Sequence, residues 1–276
     1  MAMQRCIIPV AYFLRIPNAG DRINADIVSR LTGHHTVHVQ ASNTPHLLAI
    51  GSLMSIATPS SIIWGTGVMH PDMGFGTPQE ENIRALRGRL SSRVLCQAGF
   101  SVENVPLGDP AFLAPNLLEI ERQKTPQYRV GLVCHYTDRY NRHLRHILSE
   151  SDVADLNVHE QPETFLRRIA KCEVVVSTSL HGLVFAEALG IPNLWLKAGD
   201  EIAGEGFKFQ DWFSTTRRPQ AAPHVLEPND TSETLAARAT CHESDIDVEA
   251  LSKAFPYDLL DTLEKSSRIN LVNFDI

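Results

Sequence analysis

Residues 174–192 read VVVSTSLHGLVFAEALGIP and combine the patterns of a buried strand, a turn and a helix. The β-branched start is typical of a strand buried in a parallel sheet. A Ser/Thr turn follows, and then a helix of small and apolar residues ends at Gly190 and Pro192. His181 is therefore expected near a helix N-terminus, beyond the carboxyl end of a strand. Open α/β sheets bind ligands at this edge, where helix dipoles favour anions, so the stretch predicts a site for a small, negatively charged substrate.

The alternation of strands and helices extends along the chain in both directions. Upstream, strands are predicted at 6–12, 37–39, 47–50 and 62–64, with helices at 21–31 and 82–98. After a linker at 113–125, strands are predicted at 128–134 and 155–158, and helices at 141–148 and 162–171. We predict an α/β protein with two Rossmann-like domains, 1–125 and 126–276, whose parallel sheets face a cleft. Residues 218–240 are predicted as an irregular excursion, and 248–267 as a helical tail that packs back on the first domain.

Composition excludes several functional classes. The 276 residues are 43% hydrophobic and 21% charged, which is typical of a globular protein. A net charge of −7 argues against a general nucleic-acid partner. The five cysteines are scattered, which predicts neither a disulfide framework nor a zinc site and favours a reducing compartment. No stretch approaches the ~20 apolar residues of a membrane span, and no secretory signal is evident, so we expect a cytoplasmic protein.

Several short motifs lie before and after residues 174–192. They are NAGD at 18–21, WGTG at 64–67, RALRG at 84–88, GDPA at 108–111, GLVCHY at 131–136 and GFKF at 206–209. With the STSLHG of 177–182, they make residues 5–215 resemble the polysaccharide pyruvyltransferase family.

The resemblance implies a glycosyltransferase-B-like fold, with the first domain on the acceptor side and the second on the donor side. Members take the enolpyruvyl group from phosphoenolpyruvate and leave a pyruvate ketal on two hydroxyls of a sugar. We therefore expect phosphoenolpyruvate as donor and a polysaccharide or lipid-linked oligosaccharide precursor as acceptor. No metal or further cofactor is expected. The protein would then work with the polysaccharide-assembly machinery, in the cytoplasm or at the inner face of the membrane.

His181 is the candidate for the acid that protonates the methylene carbon of the donor, since an imidazole has an ordinary pKa of ~6.5. A core histidine bonded to nearby backbone is the alternative. Ser177, Ser179 and Gly182, from the same turn, are predicted donor contacts. Some members carry an arginine where this chain has Ser179, so hydroxyls, backbone amides or another arginine must replace that contact.

Cations must neutralise the carboxylate and phosphate of such a donor. The resemblance implies a lysine downstream of the histidine, for which Lys208 and Lys197 compete; Lys208 is preferred because its glycine-flanked loop can approach a ligand. Arg87 matches an arginine of the relatives, and its planar guanidinium suits bidentate binding of carboxylate or phosphate. Arg84 is the fallback for this role.

The first-domain loop at 18–21 is expected to face the cleft. Asn18 belongs to this loop, Gly20 would let its backbone approach the ligand closely, and Asp21 would orient or deprotonate an acceptor hydroxyl. Capping the N-terminus of the following helix is an equally good role for Asp21. His135 ends the first strand of the second domain and is a candidate ligand contact, while Asp109 is predicted to fix a turn.

Two other functions use the same architecture. A nucleotide-sugar-dependent glycosyltransferase would also be built from two Rossmann-like domains, because a fold alone does not decide function. A non-catalytic homologue that binds glycan or partner proteins is the third interpretation.

Overall fold

Two parallel β-sheets of five strands each frame the protein in a computed structural model that describes residues 7–199 and 206–272. The first sheet has the order β2-β1-β3-β4-β5, and its strands are β1 (Ile7–Val10), β2 (His35–His38), β3 (His46–Leu48), β4 (Ser61–Trp64) and β5 (Ile83–Ala85). The second has the order β10-β9-β8-β6-β7, and its strands are β6 (Tyr128–Val133), β7 (Val153–Asp155), β8 (Cys172–Ser177), β9 (Asn193–Lys197) and β10 (His224–Val225). This architecture confirms the predicted α/β class with two parallel sheets.

Helices connect the strands and cover the sheets. They are α1 (Ala19–Thr32), α2 (Arg89–Gln97), α3 (Ala114–Leu117), α4 (Arg142–Ile147), α5 (Pro162–Ile169), α6 (Leu180–Ala188), α7 (Phe207–Phe213), α8 (Ser232–Ala236), α9 (Val248–Lys253) and α10 (Leu260–Val272). A 3-10 turn, Pro110–Leu113, lies between the two sheets in sequence. In the part of the chain that the structure describes, no helix has the length and apolar character needed to cross a bilayer.

The two halves share one hydrophobic core. Ile8 and Trp64 of the first sheet belong to the same buried cluster as Val175 and Trp195 of the second. Helix α1 packs on α5, and the turn at 110–113 packs on α6. Because one buried apolar cluster includes residues of both halves, the two halves are held together.

The C-terminal helices return to the first half. Helix α10 packs on β1, the Ser266 hydroxyl donates a hydrogen bond of 2.7 Å to the Pro45 carbonyl, and the Trp64 indole donates one of 2.9 Å to the Leu251 carbonyl. The chain thus closes on the sheet with which it began.

The predicted helix at 82–98 is wrong in its first half. Residues Ile83–Ala85 form β5, and α2 begins only at Arg89. Ile83 and Ala85 are buried on either side of a half-buried Arg84, which is the alternation of a strand. Gly88 separates the two elements because its backbone lies against the Asp211 carbonyl, where an added Cβ would come within 1.9 Å.

Other boundaries differ by smaller amounts. The predicted linker at 113–125 begins with α3, and its residues Leu118 and Ile120 are buried in the core. The strand predicted at 155–158 ends at Asp155, and the excursion predicted at 218–240 contains β10 and α8. Cys6, where the first strand was expected to begin, lies outside the described residues.

The described cysteines, Cys96, Cys134, Cys172 and Cys241, are free thiols. Burial raises the pKa of Cys134 and of Cys172 to about 12, so both behave as small apolar side chains.

Candidate functional site

A cavity of about 320 Å³ lies between the two halves, at the carboxyl ends of strands from both sheets. It is the place where open α/β sheets bind ligands. The first half contributes Phe13, Asn18, Asp21, Gly51, Ser52, Leu53 and Met69, and the second contributes His135, Tyr136, Val158, Ser179, Leu180, His181 and Lys208. Apolar and aromatic side chains line the cavity together with the titratable groups of Asp21, His135, His181 and Lys208, a combination that suits a small polar ligand.

His181 is the second residue of α6 and reaches into this cavity from the helix N-terminus. Its side chain is 12% exposed, and its Nε2 atom lies 3.7 Å from Oδ2 of Asp109. Within the described residues, neither Nε2 nor that oxygen has a hydrogen-bond partner. The imidazole is therefore a partly accessible group beside a carboxylate and not a core histidine bonded to backbone.

Gly20 creates the space that the imidazole occupies. A Cβ built on Gly20 would lie 2.0 Å from Nδ1 and 2.5 Å from Cγ of His181, distances at which atoms overlap. Any side chain at this position of α1 would displace the ring. Gly20 itself does not line the cavity, so its contribution is to permit close packing between α1 and α6.

Asp21 lines the cavity, and its carboxylate is not used to cap helix α1, because Asn18 is the N-cap residue. The Asn18 Oδ1 atom accepts a hydrogen bond of 2.9 Å from the Asp21 backbone N–H, and the Asn18 amide donates one of 2.5 Å to Asp21 Oδ2. The capping role considered for Asp21 is thus wrong. Burial raises the pKa of the Asp21 carboxyl, and this effect is opposed by His181, Asn18 and Lys208. A carboxylate with a raised pKa is a stronger base than an ordinary aspartate.

Lys208 is the only lysine or arginine among the described residues that line the cavity. It is the second residue of α7, and its Nζ atom lies 5.5 Å from the centre of the Phe209 ring. Burial lowers its pKa, with a further contribution from Arg87, while Asp21 and Asp138 oppose the shift. Lys197 ends β9 and is not part of the cavity wall. The structure thus brings Lys208, and not Lys197, together with His181.

His135 follows β6 and also lines the cavity. Burial, followed by the charge of Lys208, lowers its pKa to about 4, so the ring is neutral at neutral pH. Its Nδ1 atom is within 2.7 Å of the Thr137 hydroxyl, and its ring packs against Tyr136 at a centroid distance of 4.1 Å. His135 therefore offers hydrogen bonding to a ligand but no charge.

The three residues predicted from the Ser/Thr turn are placed differently from one another. Ser179 lines the cavity and its side chain does not cap α6, so its hydroxyl remains available. Ser177 is fully buried; its hydroxyl donates to the Ser179 carbonyl at 2.6 Å and accepts from the Ser179 N–H at 3.0 Å. Gly182 packs on that hydroxyl, since a Cβ there would come within 2.3 Å of it. Ser177 and Gly182 shape the turn and do not line the cavity.

The structure corrects the expectation that Arg87 is open to a ligand. Its guanidinium is fully buried and pairs with Asp211, with Nε to Oδ2 at 2.8 Å. It also donates to the Ser52 hydroxyl at 2.6 Å and to the Val68 carbonyl at 2.8 Å. With its donors used inside the protein, Arg87 supports the cavity wall at Ser52 and does not reach the cavity.

The fallback, Arg84, also lies away from the site. It is on β5 and pairs with Asp258 at 2.8 Å, near the C-terminal helices. Arg84 and Arg87 thus pair with different carboxylates, Asp258 and Asp211, and neither lines the cavity.

Asp211 joins α7 to the first half and thereby positions Lys208, one turn earlier on the same helix. Besides Arg87, its carboxylate accepts hydrogen bonds from the Ser91 backbone N–H at 2.8 Å and from the Ser91 hydroxyl at 2.6 Å. Neither Asp211 nor Ser52 was predicted from the sequence. Both lack a motif of their own, and only the pairing with Arg87 across the fold reveals them.

Asp109 was predicted to fix a turn, and it does so: its Oδ1 atom accepts a hydrogen bond of 2.9 Å from the Ala111 N–H and caps the 3-10 turn. The second oxygen faces His181, a contact that the sequence analysis missed. The GDPA motif marked the position, but the role of its second oxygen depends on the packing of that turn against α6.

The described residues contain no group of three or more histidine, cysteine, aspartate or glutamate side chains arranged to hold a metal ion.

Comparison with known proteins identifies the family. Residues 79–198 match the family model described as polysaccharide pyruvyl transferase, a segment that contains Arg87, Asp109, His135 and His181. Over 214 residues, the chain is 30% identical to the uncharacterized protein L143 of Acanthamoeba polyphaga mimivirus, covering 75% of this chain and 74% of that protein. It is 26% identical over 190 residues to the succinoglycan biosynthesis protein ExoV of Rhizobium meliloti (strain 1021), covering 64% of this chain and 56% of ExoV.

Solved structures show weaker likeness. A functionally uncharacterized Klebsiella pneumoniae protein aligns with a TM-score of 0.46 at 11% identity, over 81% of this chain and 93% of that one. The glycosyltransferase SnogD from Streptomyces nogalater aligns with a TM-score of 0.39 at 11% identity, over 98% of this chain and 99% of that one. The sequence matches decide the relationship: this chain belongs to the polysaccharide pyruvyl transferase family.

Proposed function

We propose that this protein transfers the enolpyruvyl group of phosphoenolpyruvate to two hydroxyls of a sugar and so forms a pyruvate ketal. The observation that carries the proposal is one cavity that is lined by both a partly accessible imidazole, His181, and a half-buried ammonium, Lys208. This pair supplies the acid and the cation that the reaction requires. The family match supports pyruvyl transfer in general.

The reaction balances with the groups present. His181 gives a proton to C3 of the donor, the double bond is lost, and C2 becomes electrophilic. One sugar hydroxyl forms a C–O bond to C2 as its proton passes to a base. A second hydroxyl then displaces phosphate, which leaves with the electrons of its bond to C2. Of the two hydroxyl protons, one replaces the proton that His181 gave and the other leaves with inorganic phosphate.

Asp21 is the base in this proposal. It lies on the wall contributed by the first half, and His181 and Lys208 are close enough to influence its pKa. Because burial raises that pKa, Asp21 is better suited than an ordinary carboxylate to accept a hydroxyl proton.

Lys208 neutralises part of the negative charge of the donor. The N-termini of α1 and α6 also meet at the cavity, through Asn18 and Ser179, and their partial positive charge adds to that of the lysine. Ser52 and Ser179 provide hydroxyls in place of the arginine that some relatives carry. The buried Arg87 contributes through Ser52, not by contact with the donor.

The acceptor is proposed to be a sugar within a polysaccharide or lipid-linked oligosaccharide precursor. Phe13, Leu53, Met69 and Tyr136 line the cavity, and their apolar surfaces can pack against the C–H face of a pyranose. The name of the relative ExoV, a succinoglycan biosynthesis protein, supports a place in polysaccharide assembly. This work would occur in the cytoplasm or at the inner face of the membrane, beside the assembly machinery.

The test is incubation of the purified protein with phosphoenolpyruvate and p-nitrophenyl hexosides, with inorganic phosphate and the ketal methyl signal followed by NMR. We expect phosphate and ketal to appear in equal amounts. Phosphoenolpyruvate, and not uridine diphosphate sugars, should raise the melting temperature, because a ligand of the folded state stabilises it. Stabilisation by the nucleotide sugars alone would indicate a glycosyltransferase, and stabilisation by neither donor would indicate a non-catalytic homologue.

A further inference from the structure

His181 and Asp109 lie side by side in the structure, although they belong to two separate sequence motifs. Asp109 is fully buried, and its Oδ2 atom lies 3.7 Å from Nε2 of His181. Both atoms lack a hydrogen-bond partner within 7–199 and 206–272, although buried polar atoms are nearly always partnered. A small rotation of the ring would bring them to hydrogen-bonding distance, and catalytic hydrogen bonds are often long before substrate binds.

The other oxygen of Asp109 fixes the carboxylate in place. Oδ1 accepts the Ala111 N–H at 2.9 Å and so caps the turn Pro110–Leu113, which packs on α6. The capping bond holds the side chain in one orientation, with Oδ2 directed at the imidazole. A carboxylate anchored on one oxygen can serve as a rigid acceptor with the other.

The two ring nitrogens of His181 have different surroundings. Nε2 is buried beside Asp109, whereas Nδ1 lies on the opposite side of the ring, next to the backbone of Gly20, where an added Cβ would come within 2.0 Å of it. This leaves Nδ1 as the nitrogen through which His181 can act in the cavity.

We propose that Asp109 is a positioning residue that keeps a proton on Nε2 of His181, so that the ring delivers the proton of the reaction from Nδ1. The inference rests on the proposed function. When Nδ1 gives its proton to C3 of the donor, the ring becomes neutral and keeps the Nε2–H, which Asp109 continues to accept. The carboxylate therefore stabilises the charged ring before transfer and fixes the tautomer after it.

The first test measures the tautomer of His181 in the protein without substrate, by 15N NMR of histidine-labelled protein, with the signal assigned through His181→Gln. We expect the neutral ring to carry its proton on Nε2. A proton on Nδ1 would overturn the proposal. This result does not depend on turnover, whereas an absence of any ketal from the wild-type protein would count against the proposed function instead.

Asp109→Asn provides the second test, because an asparagine retains the capping oxygen and nearly the same volume. Its amide would present a donor to Nε2 and should therefore move the proton to Nδ1. We expect kcat to fall on the order of 10²-fold or more while KM for phosphoenolpyruvate stays near the wild-type value. Asp109→Ser, whose hydroxyl also caps, should lose kcat similarly. Folded variants with wild-type kcat and tautomer would show that Asp109 acts only as a cap.

Discussion

At the scale of single residues, the site depends on contacts that leave no room for substitution. Gly20 is the clearest case, because the His181 ring occupies the space where its Cβ would be. Elsewhere in helices a glycine is less favourable than alanine by about 1 kcal/mol. Gly20 is therefore explained by the space that the His181 ring needs, and not by the stability of helix α1.

The Gly20→Ala variant should lose activity while its fold remains. Displacement of the imidazole by about 1 Å is expected to reduce kcat on the order of 10²-fold. Gly33→Ala is the control: it lies at the C-terminus of the same helix with no atom near its Cβ, but with a φ of 73°. That variant should lose about 1–2 kcal/mol of stability and keep its activity. If Gly20→Ala retained wild-type kcat, His181 would not need the position that the structure gives it.

Lys208 should make donor binding depend on pH. Because burial lowers its pKa, the ammonium loses its proton at a lower pH than an exposed lysine does. The KM for phosphoenolpyruvate is therefore expected to rise as the pH is raised toward the ordinary lysine pKa of about 10.4, since a neutral amine no longer attracts the anion.

Lys208→Arg should move this rise in KM to higher pH, since a guanidinium stays charged. Lys197→Gln, outside the cavity, should leave the profile of KM against pH unchanged. A profile that followed Lys197 and ignored Lys208 would reverse the assignment.

At the scale of helices and strands, the main feature is the attachment of α7 to the first half. The Arg87–Asp211 pair is fully buried, and Ser91 completes the hydrogen bonding of its carboxylate. The same seven-residue helix carries Lys208. An ion pair at this place positions a cationic side chain of one half against the wall of the other.

Arg87→Met should destabilise the protein by about 3–5 kcal/mol, because Asp211 would remain as an unpaired buried charge. Arg84→Met is the matched control, since its pair with Asp258 is partly exposed and should contribute about 0–1 kcal/mol. Urea unfolding of both variants measures the difference. Equal losses of stability would show that the buried pair has no special weight in holding α7.

At the scale of the whole molecule, sequence periodicity was sufficient to predict the architecture. It was not sufficient to predict which side chains line the cavity. The β-branched run before the Ser/Thr turn predicted β8, α6 and the location of His181 correctly, because burial of a parallel strand leaves a continuous apolar signature. Strand β5 was missed because residues 82–98 were interpreted as one continuous helix, whereas only the short stretch 86–88 separates the strand from α2.

The partners of the functional residues were harder to predict. Arg87 and Asp211 are separated by 124 residues. The local motif around Arg87 therefore does not show that its guanidinium pairs with a buried carboxylate and not with a ligand. The second oxygen of Asp109 is likewise defined only when the turn after Gly108 packs against α6. The roles of these side chains depend on contacts between segments that are distant in the sequence. Periodicity and motif spacing carry no information about such contacts.

The most direct measurement is the reaction in D₂O with phosphoenolpyruvate and an accepted hexoside, followed by NMR. Wild-type protein should form a ketal whose methyl group carries one deuterium for each phosphate released, because His181 delivers a solvent-derived proton to C3. Under the same conditions His181→Gln should form no ketal, while His146→Gln, on the exposed side of α4, should match the wild type. A His181→Gln variant that formed the deuterated ketal at the wild-type rate would contradict the account.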